Sequence, residues 1–124
     1  MDVWMDEKVF RERTKQPALR VMSLVEKLPS TRSADVLARQ VIRSATSIGA
    51  NYRAACRAKS PADMITKLKI VEEESDETVY WLELLSSGKA NSQAEVVELA
   101  NEANEILAMT VASIKTLRAR SARN

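Results

Sequence analysis

Five arginines between positions 32 and 57 are the residues of this sequence best suited to binding chemistry. At about 100° per residue they fall within roughly 80° of arc on one helix, and they are Arg32, Arg39, Arg43, Arg53 and Arg57. A guanidinium presents a planar fork of N–H donors that fits a carboxylate or a phosphate with two parallel hydrogen bonds. This arginine stripe is therefore suited to bind the acidic side chains of a protein or the phosphates of a nucleic acid.

A run of acidic residues follows in the next part of the chain, at positions 72–77. Residues 30–59 carry six positive and one negative group, residues 60–90 carry three and seven, and the whole chain has a net charge of only +2. A dedicated DNA-binding domain is usually basic overall, so the opposed segments favour charges that are matched to each other. We expect the match to be made between copies of the chain, with Arg39, Arg43, Arg53 and Arg57 of one copy meeting Glu73, Glu77 and neighbouring carboxylates of the next.

Apolar side chains lie among these acids on the same side of the helix predicted for residues 61–87. Ile70, Trp81 and Leu84 share this side with the carboxylates, and an apolar centre with a charged edge is typical of a protein interface. We predict that Trp81 and Leu84 supply apolar area to the subunit contact. The alternative for this pair is that both side chains only widen the core of one molecule.

Two alternatives stay open for the arginine stripe. One is a solvated helix face whose local ion pairs contribute little. The other is an RNA- or DNA-binding accessory protein that contacts the phosphate backbone through these arginines, with an affinity that falls steeply as salt rises. The sequence favours the contact between copies over both.

No catalytic apparatus is visible in the sequence. Histidine, the commonest general base and metal ligand, is absent, and successive acids on a helix point in different directions, so residues 72–77 do not predict a metal site. The single Cys56 lies among apolar residues and is expected to be a buried small hydrophobe. We predict a protein that is not an enzyme, with no cofactor, no metal and no small-molecule substrate.

The same composition indicates where the protein acts. The first ten residues include three acids and no apolar core of a signal peptide, and no run of about 18 apolar residues could span a bilayer. These features predict a cytoplasmic protein that does not associate with membranes.

The charged faces need helices to position them, and the sequence supplies four. With only two glycines and three prolines, helix-favouring residues run almost without interruption. The pattern predicts helices at about residues 10–28, 32–58, 61–87 and 93–120, within a single domain over residues 1–124. Short connections make consecutive helices antiparallel, so the predicted fold is an all-α, up-down-up-down four-helix bundle.

Local signals mark some helix boundaries better than others. Ser60 followed by Pro61 is a strong helix start, because a serine can cap the helix and proline suits its first position. Ser92 with Glu95 predicts a capping box for the fourth helix. Pro17 leaves two possibilities: either Thr14 caps the first helix, or that helix begins earlier and must accommodate the proline inside it.

Two segments carry a resemblance to a known family. Residues 43–55, RSATSIGANYRAA, and residues 71–85, which include VEEESDE and YWLELL, resemble the bacterial four-helix-bundle proteins related to those encoded in intervening sequences of large-subunit ribosomal RNA genes. The resemblance covers most of residues 11–90. It implies a left-handed antiparallel four-helix bundle that assembles as a ring-like homopentamer.

A more distant similarity links this family to the accessory variability determinant of diversity-generating retroelements. That similarity implies a basic pentamer that engages a reverse transcriptase and nucleic acid. The near-neutral charge of this chain argues against carrying that role over. We therefore expect a homopentameric scaffold or binding protein, with nucleic acid as the less favoured partner.

Overall fold

Four consecutive α-helices make up the computed structural model, which describes residues 6–87 and 93–123. The helices are α1 (Glu7–Val25), α2 (Arg32–Cys56), α3 (Pro61–Ser87) and α4 (Gln93–Arg123). Helices α2, α3 and α4 each pack against their predecessor in the chain, and α1 also touches α4, whereas the diagonal pairs make no such contact within the described residues. The predicted all-α, up-down four-helix bundle is confirmed, and its left-handed twist stays a prediction.

The beginning of α1 corrects the sequence-based boundary. The helix starts at Glu7, with the Asp6 side chain accepting from the backbone N–H of Val9 at 3.1 Å. Thr14 is therefore not an N-cap: it is buried in the helix, where its Oγ1 lies 3.0 Å from the Arg11 carbonyl oxygen. The buried Pro17 lies inside α1 and leaves the Arg13 carbonyl without the N–H that another residue would supply.

The other boundaries differ from the expectation less. Helix α3 has the predicted bounds, and Ser60 caps it as predicted by accepting from the N–H of Asp63 at 3.1 Å. Helix α1 ends three residues and α2 two residues before the predicted ends, whereas α4 continues three residues further, to Arg123. The capping role predicted for Ser92 falls outside the described residues.

The bundle core consists of two apolar clusters. One gathers around Phe10, Tyr52 and Leu68, and the other around Leu24, Leu82 and Leu99. On α3, buried Ser75 and Thr78 lie between the two clusters in sequence, and Thr78 Oγ1 is 2.9 Å from Ser44 Oγ of α2. This hydrogen bond joins α2 to α3 at mid-height and fixes their register.

Ion pairs close α1 onto α4. Arg13 donates from Nε to Glu102 at 2.9 Å and from Nη2 to Glu105 at 2.7 Å. The hydrogen bond with Glu102 is the main reason why the pKa of Arg13 is raised, against the opposing effect of burial. Two further pairs, Arg20 with Glu98 and Lys27 with Glu95, follow at seven-residue spacing, the second just beyond the end of α1. The α1–α4 seam is therefore a ladder of matched charges.

Candidate interaction surfaces

The arginine stripe of α2 lies on the surface as predicted. All five arginines are exposed. The opposite side of the helix is apolar and is buried, apart from half-buried Leu37; its residues are Ala34, Leu37, Val41, Ala45, Ile48, Tyr52 and Ala55. Arg57 follows the last helical residue and forms the C-cap of α2. One amphipathic helix therefore contributes to the core and to a cationic surface, which is the division that its sequence pattern predicts.

Arg43 binds acids of its own chain. Its Nη1 donates to Glu74 at 3.1 Å and its Nη2 to Glu77, and its Nε donates to Gln40 at 3.2 Å. The Glu74 side chain is only 14 % exposed, which makes this contact less accessible to solvent and salt than an ordinary surface pair. The structure thus brings two of the predicted residues, Arg43 and Glu77, together across the α2–α3 contact within one molecule.

Trp81 takes part in the same arrangement. Its indole N–H donates to Glu77 Oε1 at 3.1 Å, and the half-buried ring packs against the apolar cluster of Leu24 and Leu82. Leu84 is half-buried as well. Part of Trp81 therefore belongs to the core of the single molecule, and the role of both residues in a subunit contact stays a prediction.

Arg39, Arg53 and Arg57 differ from Arg43. Within residues 6–87 and 93–123, none of the three forms an ion pair. Glu73, the remaining predicted acid, is exposed on α3 and likewise has no ion-pair partner in the described part of the chain. The predicted charges therefore divide into a pair satisfied within the chain and a set without ion-pair partners among the described residues.

Two of these free arginines line a groove between α1 and α2. The groove has a volume of about 710 Å³. Its cations are Arg11, Lys15, Arg53 and Arg57, its acids are Glu7 and Glu12, and small residues such as Ala18, Gly49 and Ala50 complete the lining. Arg11 and Glu7 approach each other to 3.7 Å, so the excess positive charge lies on Lys15, Arg53 and Arg57.

Gly49 explains how α1 and α2 approach each other at this groove. A Cβ at this position would lie 3.1 Å from the Thr14 carbonyl oxygen and 3.7 Å from the Lys15 Cα. A side chain larger than hydrogen would therefore press on the α1 backbone. The sequence RSATSIGANYRAA thus allows close helix packing beside Arg53.

The sequence analysis missed Tyr80 on the outer side of α3. Its side chain is 52 % exposed, and its ring meets the Trp81 ring edge-on, with centroids 5.1 Å apart. Tyr80 belongs to an outer stripe of α3, whose exposed residues follow one another at steps of four, three, four and three positions. The stripe comprises Lys69, Glu73, Asp76, Tyr80 and Glu83. This spacing is visible in the sequence and could have identified Tyr80 as the aromatic centre of the outer stripe.

Burial raises the pKa of two side chains near the end of α2, Tyr52 and Cys56. Tyr52 is fully buried with its ring edge-on to Phe10, at a centroid distance of 4.8 Å, and burial raises the pKa of its hydroxyl well above the ordinary value. Burial also raises the pKa of the Cys56 thiol, with a further contribution from a hydrogen bond with Glu7. Cys56 is half-buried and packs against the cluster of Phe10 and Tyr52, so its environment favours the neutral thiol over the nucleophilic thiolate.

Metal ligands do not converge in the part of the chain that the structure describes, where no three His, Cys, Asp or Glu side chains are grouped to hold an ion. Among the described helices, none combines the length and the hydropathy needed to cross a membrane.

Comparisons with known proteins place these features in a family. The model of the 23S rRNA-intervening sequence protein family matches residues 7–112. A solved structure from Bacteroides thetaiotaomicron, of a protein with unknown function from the S23 ribosomal protein family, is 36 % identical with a TM-score of 0.80; the match covers 90 % of this chain and 99 % of that one. No curated protein matches the sequence. The chain belongs to the 23S rRNA-intervening sequence protein family.

Proposed function

We propose that this protein is a non-enzymatic, cytoplasmic scaffold that assembles from identical copies. In this proposal the free arginines of α2 in one copy bind the exposed acids of α3 in the next. The two surfaces are different parts of the chain, so each copy uses both and the contact is heterologous. Repeated around a closing rotation, such a contact generates a ring, and a homopentamer is the ring implied by the family resemblance.

The observation that carries the proposal is the division of charges on the α2 and α3 surfaces. Arg43 is neutralised by Glu74 and Glu77 of its own chain. Arg53 and Arg57 have no acid within ion-pair distance in the described residues, and Glu73 and Asp76 have no cation there. Unmatched charges of opposite sign on two faces of one molecule are complementary between copies.

Complementary charge mainly determines orientation, because an exposed ion pair adds only about 0–1 kcal/mol. The affinity of a lasting contact must come from apolar area at its centre. Half-buried Trp81 and Leu84 on α3 keep part of their surface available for that purpose. The charged rim and the apolar centre therefore serve different functions in the proposed contact.

Exchanging the charges between the two faces tests this proposal. Arg53→Glu with Arg57→Glu should reduce the mass measured by light scattering, because each contact then joins acids to acids. Glu73→Lys with Asp76→Lys should do the same. Combining all four substitutions restores opposite charges across every contact and should restore the original mass.

A matched control changes the same number of charges elsewhere. Lys115→Glu with Arg118→Glu reverses two exposed cations of α4 that form no ion pair in the described residues, so the mass should stay as in the wild type. Helix content by circular dichroism verifies that every variant folds. A mass that Arg53→Glu with Arg57→Glu leaves unchanged would overturn the proposed contact.

A polyanion is the second candidate partner, and one observation favours it. Four cations line a single groove between α1 and α2, which could track a phosphate backbone. Against it, Glu7 and Glu12 line the same groove, and Arg43 is occupied within the chain. Titration of labelled RNA at two salt concentrations separates the partners, since phosphate binding requires a mobility shift that weakens steeply with salt.

A further inference from the structure

The groove between α1 and α2 is larger than an arginine–carboxylate contact requires. Its volume of about 710 Å³ exceeds that of a single aromatic side chain. The lining provides small residues, Thr46, Gly49 and Ala50, between cations on both sides. A bulky side chain flanked by acids would match this combination of shape and charge.

Tyr80 has the properties of such a side chain. It is the one exposed large aromatic residue among the described positions, and its contact with Trp81 holds the ring before any partner arrives. A ring that is already ordered loses little conformational entropy on binding. Asp76 precedes it by one turn and Glu83 follows by nearly one turn, and both are exposed.

We infer that Tyr80 of one copy inserts into the α1–α2 groove of the next copy, with Arg53 and Arg57 beside the acids that flank it. This inference rests on the proposed self-association and names the residue at its centre. Buried tyrosines surrounded by polar contacts are frequent anchors of protein interfaces. Guanidinium groups at the rim can also lie against the aromatic face.

Charge complementarity favours a second copy over other occupants. The groove carries four cations and two acids, while the stripe of Glu73, Asp76 and Glu83 around Tyr80 contains three acids and, one turn beyond Glu73, the cation Lys69. The two surfaces thus each have a net charge of two, of opposite sign. A nucleic acid would supply phosphates at regular spacing and would gain nothing from the small residues of the groove wall.

Site-specific photocrosslinking tests the inference. A chain with Tyr80→p-benzoylphenylalanine keeps an aromatic ring at this position and bonds to C–H groups that it touches on irradiation. The expected product is a covalent link between copies, with the crosslinked tryptic peptide mapping to residues 44–53 of α2 or to the part of α1 that lines the groove. The matched control is Val97→p-benzoylphenylalanine, at an exposed apolar position of α4, which should give no link to that peptide.

Two substitutions at Tyr80 separate ring burial from a general loss of folding. Tyr80→Ala should weaken self-association about tenfold or more, whereas Tyr80→Phe should keep most of it because the ring remains. Circular dichroism should be the same for both variants.

The outcomes distinguish this inference from the proposed function. An oligomer whose crosslinks map only outside the groove would overturn the insertion of Tyr80 and leave the self-association standing. A wild-type chain that stays single at all concentrations would overturn both. A groove occupied by RNA in place of a second copy would leave the chain with Tyr80→p-benzoylphenylalanine without crosslinks between copies, which also contradicts the inference.

Discussion

Arg43 and Arg53 occupy the same stripe of the same helix, yet their surroundings differ. Arg43 faces α3, where Glu74 and Glu77 lie within reach of its guanidinium. Arg53 lies at the groove facing α1, whose nearby side chains include as many cations as acids. The difference teaches that one helical pattern can serve two purposes, because the neighbouring helix decides which arginines are satisfied within the chain.

The two sides of α2 are also held together by different forces. Towards α3, polar contacts join the helices, from Arg43 to Glu74 and Glu77 and from Thr78 to Ser44. Towards α1, the close approach at Gly49 and the contact of Tyr52 with Phe10 dominate. The α2–α3 side is therefore sensitive to charge, and the α1–α2 side to packing and to the ionisation of Tyr52.

The largest effect on the stability of one molecule is expected at Arg43. Arg43→Glu removes the donors to Glu74 and Glu77 and adds a third carboxylate beside them, so the free energy of unfolding should fall by about 2 kcal/mol. Urea denaturation measures this loss. Arg43→Glu should be introduced into the double variant with Arg53→Glu and Arg57→Glu and compared with that variant. We expect the double variant to be a single chain, so its unfolding is not coupled to assembly.

Arg39→Glu provides the matched control on the same stripe. Arg39 is exposed and forms no ion pair in the described residues, so the change in unfolding free energy should stay within about 0.5 kcal/mol. Equal losses for Arg39→Glu and Arg43→Glu would contradict the distinction between satisfied and free arginines.

A smaller effect is expected on the α1–α2 side at alkaline pH. Because the pKa of Tyr52 is higher in the folded chain than its ordinary value of 10.0, its contribution to stability is complete below pH 10 and is lost as the pH rises above that value. At pH 11 the loss should be about 1.4 kcal/mol relative to pH 9. Tyr52→Phe keeps the ring against Phe10 and should remove this loss.

The free energy of unfolding should be measured for the wild type and for Tyr52→Phe between pH 9 and 11. The other titrating groups are the same in both chains, so the difference between the two curves reports on Tyr52. Cys56→Ser isolates the contribution of the thiol, whose raised pKa acts in the same direction. A pH dependence that is identical in the wild type and Tyr52→Phe would contradict the burial of the Tyr52 hydroxyl.

The helices were predictable from the sequence because their signals are local. The apolar spacing of α2 and the Ser60–Pro61 start of α3 are confirmed by the structure. The beginning of α1 was not settled, because Pro17 is compatible with a first turn as well as with a helix interior. What decides between them is the cap at Asp6 and the burial of Thr14 and Pro17, and burial depends on the other helices.

For the interaction surfaces, the sequence predicted on which side of a helix each charged residue lies, but not which residue it binds. Periodicity places Arg43, Arg53 and Glu77 on outer sides of their helices. It does not say that Arg43 reaches Glu77 of the same molecule, because that depends on the register between α2 and α3. Tyr80 and Trp81 are adjacent in sequence, so a rotation of α3 by part of a turn decides which ring enters the core and which faces outward.

The mass of the wild-type protein in solution tests the central claim most directly. Light scattering over a range of protein concentrations at moderate salt should give a multiple of the 13.8 kDa chain, about 69 kDa for the homopentamer. A mass of one chain at every concentration would contradict the account, because the free arginines of α2 and the acids around Tyr80 would then face only water.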